Sequence, residues 1–171
     1  MKAVAKTVEH QPEREQRFDT IRPLYLESLT LVERLHRRLL DVIKDEFDRR
    51  GRADINSVQA LLLYNIGDKE LTAGELRTRG YYLGSNVSYN LKKLVDAGYI
   101  NHQSSTTDRR SVRVRLTEKG QEVCRVVNEL YHRQLKSLQH VGGLAPNDLE
   151  TLNKALIRLE RFWTDQIRYQ L

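Results

Sequence analysis

One cysteine and three prolines are all that 171 residues hold of these types. The lone thiol, Cys124, forms no internal disulfide and supplies no zinc knuckle. The five histidines, at 10, 36, 102, 132 and 140, share no metal-ligand spacing with one another or with that cysteine. No GxGxxG, P-loop, GxSxG or HExxH string occurs, so enzymatic readings start with little support. No apolar run nears the ~18 residues that cross a bilayer. The opening MKAVAKTVEHQPEREQ has no apolar block of the secretory kind. These absences lead us to expect a cytoplasmic non-enzyme with no metal, cofactor or membrane partner.

Charge, by contrast, is plentiful and uneven. The chain is 30% charged and 39% hydrophobic with a net charge of +6, the balance of a globular chain of about one domain. Between Arg77 and Arg115 there are eight basic residues (Arg77, Arg79, Lys92, Lys93, Arg109, Arg110, Arg113, Arg115) against two acids, Asp96 and Asp108. That stretch alone carries +6; the remainder has twenty-one of each sign. A positive field confined to one segment points to a polyanion as partner rather than to a generally solvated surface.

The same stretch has the pattern of a reading device. In SNVSYNLKKLV, Val87, Leu91, Leu94 and Val95 form an inward helical stripe, leaving Ser85, Ser88, Tyr89, Lys92 and Asp96 outward. After a glycine break, Val112, Val114 and Leu116 alternate with Arg113 and Arg115, the period of a half-buried strand. A helix offering hydrogen-bonding side chains beside an arginine-tipped hairpin suits a nucleic acid. Ser85, Asn86, Ser88 and Tyr89 are candidates to discriminate bases, and Lys92, Lys93, Arg77 and Arg79 to hold phosphates. Arg109 and Arg113 add positive charge on the hairpin.

Around this lie long helices. Residues 1–19 are expected to be a loose arm, with Asp19 or Thr20 capping a helix that runs to about Arg50 and has Pro23 in its first turn. About thirty residues at ~1.5 Å each make a rod near 45 Å. Val32, Leu35, Leu39 and Val42 form a seam on it, while Leu24, Leu31 and Leu40 lie elsewhere, so it packs on more than one neighbour. Gly51 stops it, Asp54 is a cap candidate, and a buried helix ends at Gly67. Thr72 to Glu75 has capping-box spacing before a short helix; Thr72 is a cap there, with a phosphate contact as a functional extra. A third short strand is expected near Leu71. Thr117 caps a helix to about His140 with Val123, Val126, Leu130 and Leu138 inward. Gly142 and Gly143 break it, and Pro146 opens the last helix. There Leu149, Leu152, Leu156, Leu159 and Trp163 repeat at three and four. Seams at both ends of the chain exceed what one copy can cover, so a homodimer is expected, with Leu24 and the last-helix seam in its interface.

The order of these elements, with SNVSYNLKKLVDAGYI and above all DRRSVRVRLTEKG (Asp108 to Gly120), resembles the MarR family of winged helix-turn-helix transcriptional regulators from about 20 to 168. RGYYLGSNVSYNLKKLV is similar to its LdtR-type members. The resemblance implies a mainly α fold with a small β-hairpin wing: a winged helix-turn-helix over 54–116 and a helical dimerisation layer from 20–50 and 118–171. It implies that Ser85 through Lys92 enter the major groove of double-stranded DNA. Arg110 would enter the minor groove, its guanidinium held by Asp108. It also implies a pocket for a small aromatic or amphipathic effector, for which Leu29, Val32, Leu63 and Tyr64 are lining candidates. The function expected is a homodimeric, ligand-responsive repressor or dual regulator on a pseudo-palindromic operator. The alternatives are a nucleoid-type protein with weak sequence preference or a winged helix used for protein assembly. Gly80, Tyr81 and Tyr82 depart from the small aliphatic residues common there, and Cys124 is expected to be a buried, inert thiol.

Overall fold

Glutamate, arginine and leucine, all good helix formers, dominate residues 11–49, and no glycine interrupts them. The computed structural model describes residues 11–72, 75–76, 84–104 and 112–169, and within them the side chains of all but 11–16, 84–87, 103–104 and 112. The first helix, α1, accordingly spans Gln11–Arg49, 39 residues, or roughly 58 Å. This corrects the expected start near residue 20. QPEREQRF favours helix, and Pro12, near its start, falls where a missing N–H costs nothing. Pro23 is therefore inside the helix rather than in its first turn, and it withholds a hydrogen bond from the carbonyl of Asp19. Residues 1–10 of the expected arm lie outside the described residues.

The chain divides into two compact units, residues 1–62 and 63–171. In the first, α1 buries Ile43, Glu46 and Phe47 near its end, whereas Phe18, Ile21, Leu24, Leu31 and Leu35 are exposed. Glu46 is held by Arg49 at 3.0 Å and Arg50 at 2.8 Å, which satisfies a carboxylate that burial alone would penalise. Gly51, at φ 66°, turns the chain out of α1. Helix α2, Ser57–Ile66, starts in this unit and continues into the next. Its cap is Asn56 and not Asp54: Asn56 Oδ1 accepts from the Gln59 amide at 2.9 Å, and Gln59 Oε1 accepts from the Asn56 amide at 3.2 Å. Asp54 is occupied by Arg52 at 3.2 Å.

The second unit carries a three-stranded antiparallel sheet in the order β1-β3-β2. Strand β1 is Leu71–Thr72, β2 Ile100–Ser104 and β3 Val112–Leu116. Helix α3, Gly84–Asp96, precedes β2; α4, Glu118–Leu138, follows β3; and α5 is Pro146–Tyr169. Leu71, Val114, Leu116, Ile100 and Tyr99 are buried with Leu91 and Leu94 of α3 and with Val123, Val126, Val127 and Leu130 of α4. Leu138 is only half-buried. Helix α5 buries none of its residues. Among the described residues, no helix is long and apolar enough to cross a membrane, and no cluster of His, Cys, Asp and Glu is placed to hold a metal.

Candidate nucleic-acid interface

Thr72 ends β1 and caps the helical turn after it. Its hydroxyl oxygen accepts from the Glu75 amide at 3.1 Å, and its own amide donates to Glu75 Oε2 at 2.7 Å. This is the reciprocal capping box that the spacing predicts. Residues 75 and 76 are helical. The rest of the short helix and the turn, with Arg77, Arg79, Tyr81 and Tyr82, lie outside the described residues.

Helix α3 turns Leu91 and Leu94 inward, with Val95 half-buried, and leaves Ser88, Tyr89, Lys92 and Lys93 exposed. Tyr89 is 63% exposed, so its ring and hydroxyl are open to a ligand from outside the chain. The Lys93 ammonium stands 5.8 Å from the centre of that ring, close enough for the ring face to attract it. Ser85 and Asn86 belong to the first turn of α3; their side chains lie outside those described.

The far end of α3 is fastened to the base of the wing. The amides of Gly98 and Tyr99 donate to the carbonyls of Val95 and Leu94 at 2.9 and 2.8 Å, with Gly98 at φ 76°, a left-handed stop that glycine adopts without strain. Thr117 Oγ1 donates to the Gly98 carbonyl at 2.8 Å and accepts from the Gly120 amide at 3.2 Å, which makes it the N-cap of α4 as well. Lys119 donates to the Ala97 carbonyl at 3.1 Å, with its ammonium 4.1 Å from the Tyr99 ring centre. A cation at a helix C-terminus also complements the helix dipole. Tyr99, Lys119 and Gly120 are not among the residues that sequence reasoning singles out. Tyr99 falls within SNVSYNLKKLVDAGYI, and Lys119 and Gly120 within DRRSVRVRLTEKG, but neither string assigns them a role.

On the sheet, Arg113 and Arg115 point to the wet face, while Val114 and Leu116 point inward. Asn101 pairs with Arg115 and Thr72 with Arg113. Glu70 meets Arg113 at 3.2 Å, a contact that no spacing rule suggests. Glu70, Asn101, Arg113 and Arg115 line a concavity of about 320 Å³ with Leu116, Thr117, Glu118 and Gln121. Asp108, Arg109 and Arg110 lie outside the described residues.

The remaining candidates are spread across both units. Leu29 and Val32 are half-buried on α1. Leu63 is fully buried, a core residue of α2 with no surface to offer a ligand. Tyr64 packs edge-on against Tyr131, ring centres 5.1 Å apart, beside an open groove of about 440 Å³ lined also by Asn128, His132, Leu135 and Leu138. Burial raises the phenol pKa of Tyr131. Cys124 is half-buried rather than buried and donates to the Leu63 carbonyl at 3.2 Å. Burial above all, then the charge of Asp68, pushes its thiol up to about 11. Of the expected dimer residues, Leu24, Leu152, Leu156 and Trp163 are exposed and Leu149 and Leu159 half-buried.

Comparison with known proteins agrees with this geometry. The winged helix DNA-binding domain family matches residues 55–120. The exopolysaccharide II synthesis transcriptional activator ExpG of Rhizobium meliloti (strain 1021) is 40% identical over 145 residues, which are 85% of this chain and 74% of that protein. Among solved structures, a mutant MarR from E. coli complexed with operator DNA matches at a TM-score of 0.62 and 21% identity, covering 83% of this chain and 96% of the other. AbsC, a MarR family transcriptional regulator from Streptomyces coelicolor, matches at 0.62 and 21%, covering 81% and 93%. Identities this low speak to the fold; the relative from Rhizobium meliloti speaks to kinship. The chain belongs with this activator to a family of winged-helix transcriptional regulators, and its fold is that of the MarR proteins.

Proposed function

We propose that two copies of this chain bind double-stranded DNA as a symmetric pair and regulate transcription in the cytoplasm from a pseudo-palindromic operator. Each copy sets α3 in a major groove, and Arg110, steadied by Asp108, enters the flanking minor groove. Ser85, Asn86, Ser88 and Tyr89 discriminate bases; Lys92, Lys93, Arg109, Arg113 and the helix start at Thr72 hold the backbone. The observation that carries this reading is the exposed set Ser88, Tyr89, Lys92 and Lys93 on a helix locked at its far end by Thr117 and Lys119. Such a helix presents its face without reorganising. Pairing of copies is supported by α5, whose seam Leu149, Leu152, Leu156, Leu159 and Trp163 has nothing buried.

A small aromatic or amphipathic effector is the proposed regulator, and the groove beside Tyr64 is where its ring would find Tyr131 and Leu135. It acts by binding one arrangement of the pair more tightly than another. The deciding experiment is titration of purified protein onto duplex DNA over a range of salt. The logarithm of affinity should fall with the logarithm of salt at a slope near −0.9 per phosphate contacted. A flat response, or no binding at low salt, removes the proposal.

A further inference from the structure

We infer that Glu70 is a counter-ion built into the wing: its carboxylate competes with the phosphates of a bound duplex for the guanidinium of Arg113, and so limits how tightly DNA of any sequence is held. The inference rests on the DNA-binding reading above.

Glu70 Oε1 lies 3.2 Å from Arg113 Nη1, and the two residues are 43 apart in sequence. Ion pairs such as Arg38–Asp41 and Lys154–Glu150 join neighbours on one helix; this one joins β3 to the residue just before β1. Thr72 pairs with Arg113, and Glu70, two residues before Thr72, falls on the same face of the strand line, opposite the buried Leu71. The side chains of Arg113 and Glu70 are 54% and 44% exposed, so an incoming phosphate can reach the guanidinium. An exposed pair of this kind adds little to folding, so stability gives no reason to set an acid against a cationic wing. Its effect on a polyanion is large by comparison. It takes one Nη of the guanidinium that a phosphate would use, and it repels a phosphate brought beside it. Arg115 supplies an internal contrast. It shares the face and the concavity, and the α4 acid that also lines that concavity, Glu118, is held by Arg125 at 3.0 Å.

The test is anisotropy of a labelled duplex of about 30 base pairs with scrambled sequence, titrated over a salt series with the full chain and with E70Q, E70A, R113Q and the E70Q/R113Q double variant. With Arg113 released, E70Q and E70A should bind roughly threefold to tenfold more tightly near ~0.1 M salt, and the salt slope should steepen by about 0.9, one added phosphate contact. The double variant should match R113Q, because the gain needs the guanidinium. Unchanged affinity in both Glu70 variants overturns the inference. An equal gain in the R113Q background also overturns it, since only a generic charge effect survives. If the unaltered chain binds no duplex at low salt, the DNA reading itself falls, and the inference with it.

Discussion

Gly120 stands against the carbonyl of Tyr99 so closely that a β-carbon at position 120 would overlap that oxygen. The contact joins the first turn of α4 to the residue that ends the α3 turn. The same carbonyl accepts from the Thr117 amide at 3.0 Å, so the backbone there has no room to give. Replacing Gly120 by Ala should destabilise the chain by about 2–3 kcal/mol, through forced backbone movement rather than lost burial. Urea unfolding measures this; a loss under about 0.5 kcal/mol would show that the overlap relaxes cheaply.

Thr117 joins the same two elements by hydrogen bonds. Thr117→Val keeps the shape but removes the cap on α4 and the bond to the Gly98 carbonyl. A loss of about 1–2 kcal/mol is expected. It should come with weakened DNA binding, because α3 is then less firmly aimed. Stability and affinity should fall together; normal affinity in the variant would show that α3 keeps its aim without the hydroxyl.

On the reading face, Ser88→Ala with Tyr89→Ala should reduce discrimination between a promoter duplex recovered by footprinting and scrambled DNA by about 1–3 kcal/mol. Total affinity for scrambled DNA should change less, since Lys92 and Lys93 remain. Competition binding with both duplexes separates the two effects. Equal losses on both would reassign these side chains to the backbone.

Leu152→Glu with Leu156→Glu sets two charges on a helix that buries nothing within its own chain. Folding of the single chain should survive. The mass by light scattering should drop from twice 20.0 kDa to 20.0 kDa, with loss of tight operator binding. A variant that remains paired would place the interface elsewhere.

Cys124 holds its proton to about 11 instead of 9.0. At pH 8 the native thiol should therefore react with iodoacetamide roughly tenfold to a hundredfold more slowly than in the urea-unfolded chain. The same shift makes stability depend on pH. An acid whose pKa is raised on folding favours the folded state fully below its unfolded value, and that contribution is lost as pH rises above about 9. Denaturation curves for Cys124→Ser should lack that part of the alkaline decline.

The sequence pattern foretells what repeats. The α3 stripe and the β3 alternation recur at the period of their elements, and Leu91, Leu94, Val114 and Leu116 are buried accordingly; Thr117 caps α4 where the sequence places it. Single events escape it. Asn56 and Gln59 form a capping box with amides in place of the hydroxyl and carboxylate usually sought, which leaves Asp54 the more obvious candidate. The start of α1 is hard to place because Pro12 and scattered charge suggest a loose arm, although the propensities of QPEREQRF run the other way. The Glu70–Arg113 pair depends on strand order, with β3 between β1 and β2, which no local spacing encodes. The site residues at 77, 79 and 108–110 fall outside the described residues.

Helix α4 runs unbroken from the Thr117 cap to Leu138, a rod of roughly 31 Å. Its start bears on Tyr99 and Gly98, and Tyr131 and Leu135 border the open groove further along. A stiff rod works as a lever. A tilt of about 5° about its far end would shift the wing base by ~3 Å, about the length of one hydrogen bond, so a small displacement beside Tyr131 is enough to misalign α3 and β3, the two elements that the proposed function sets against DNA.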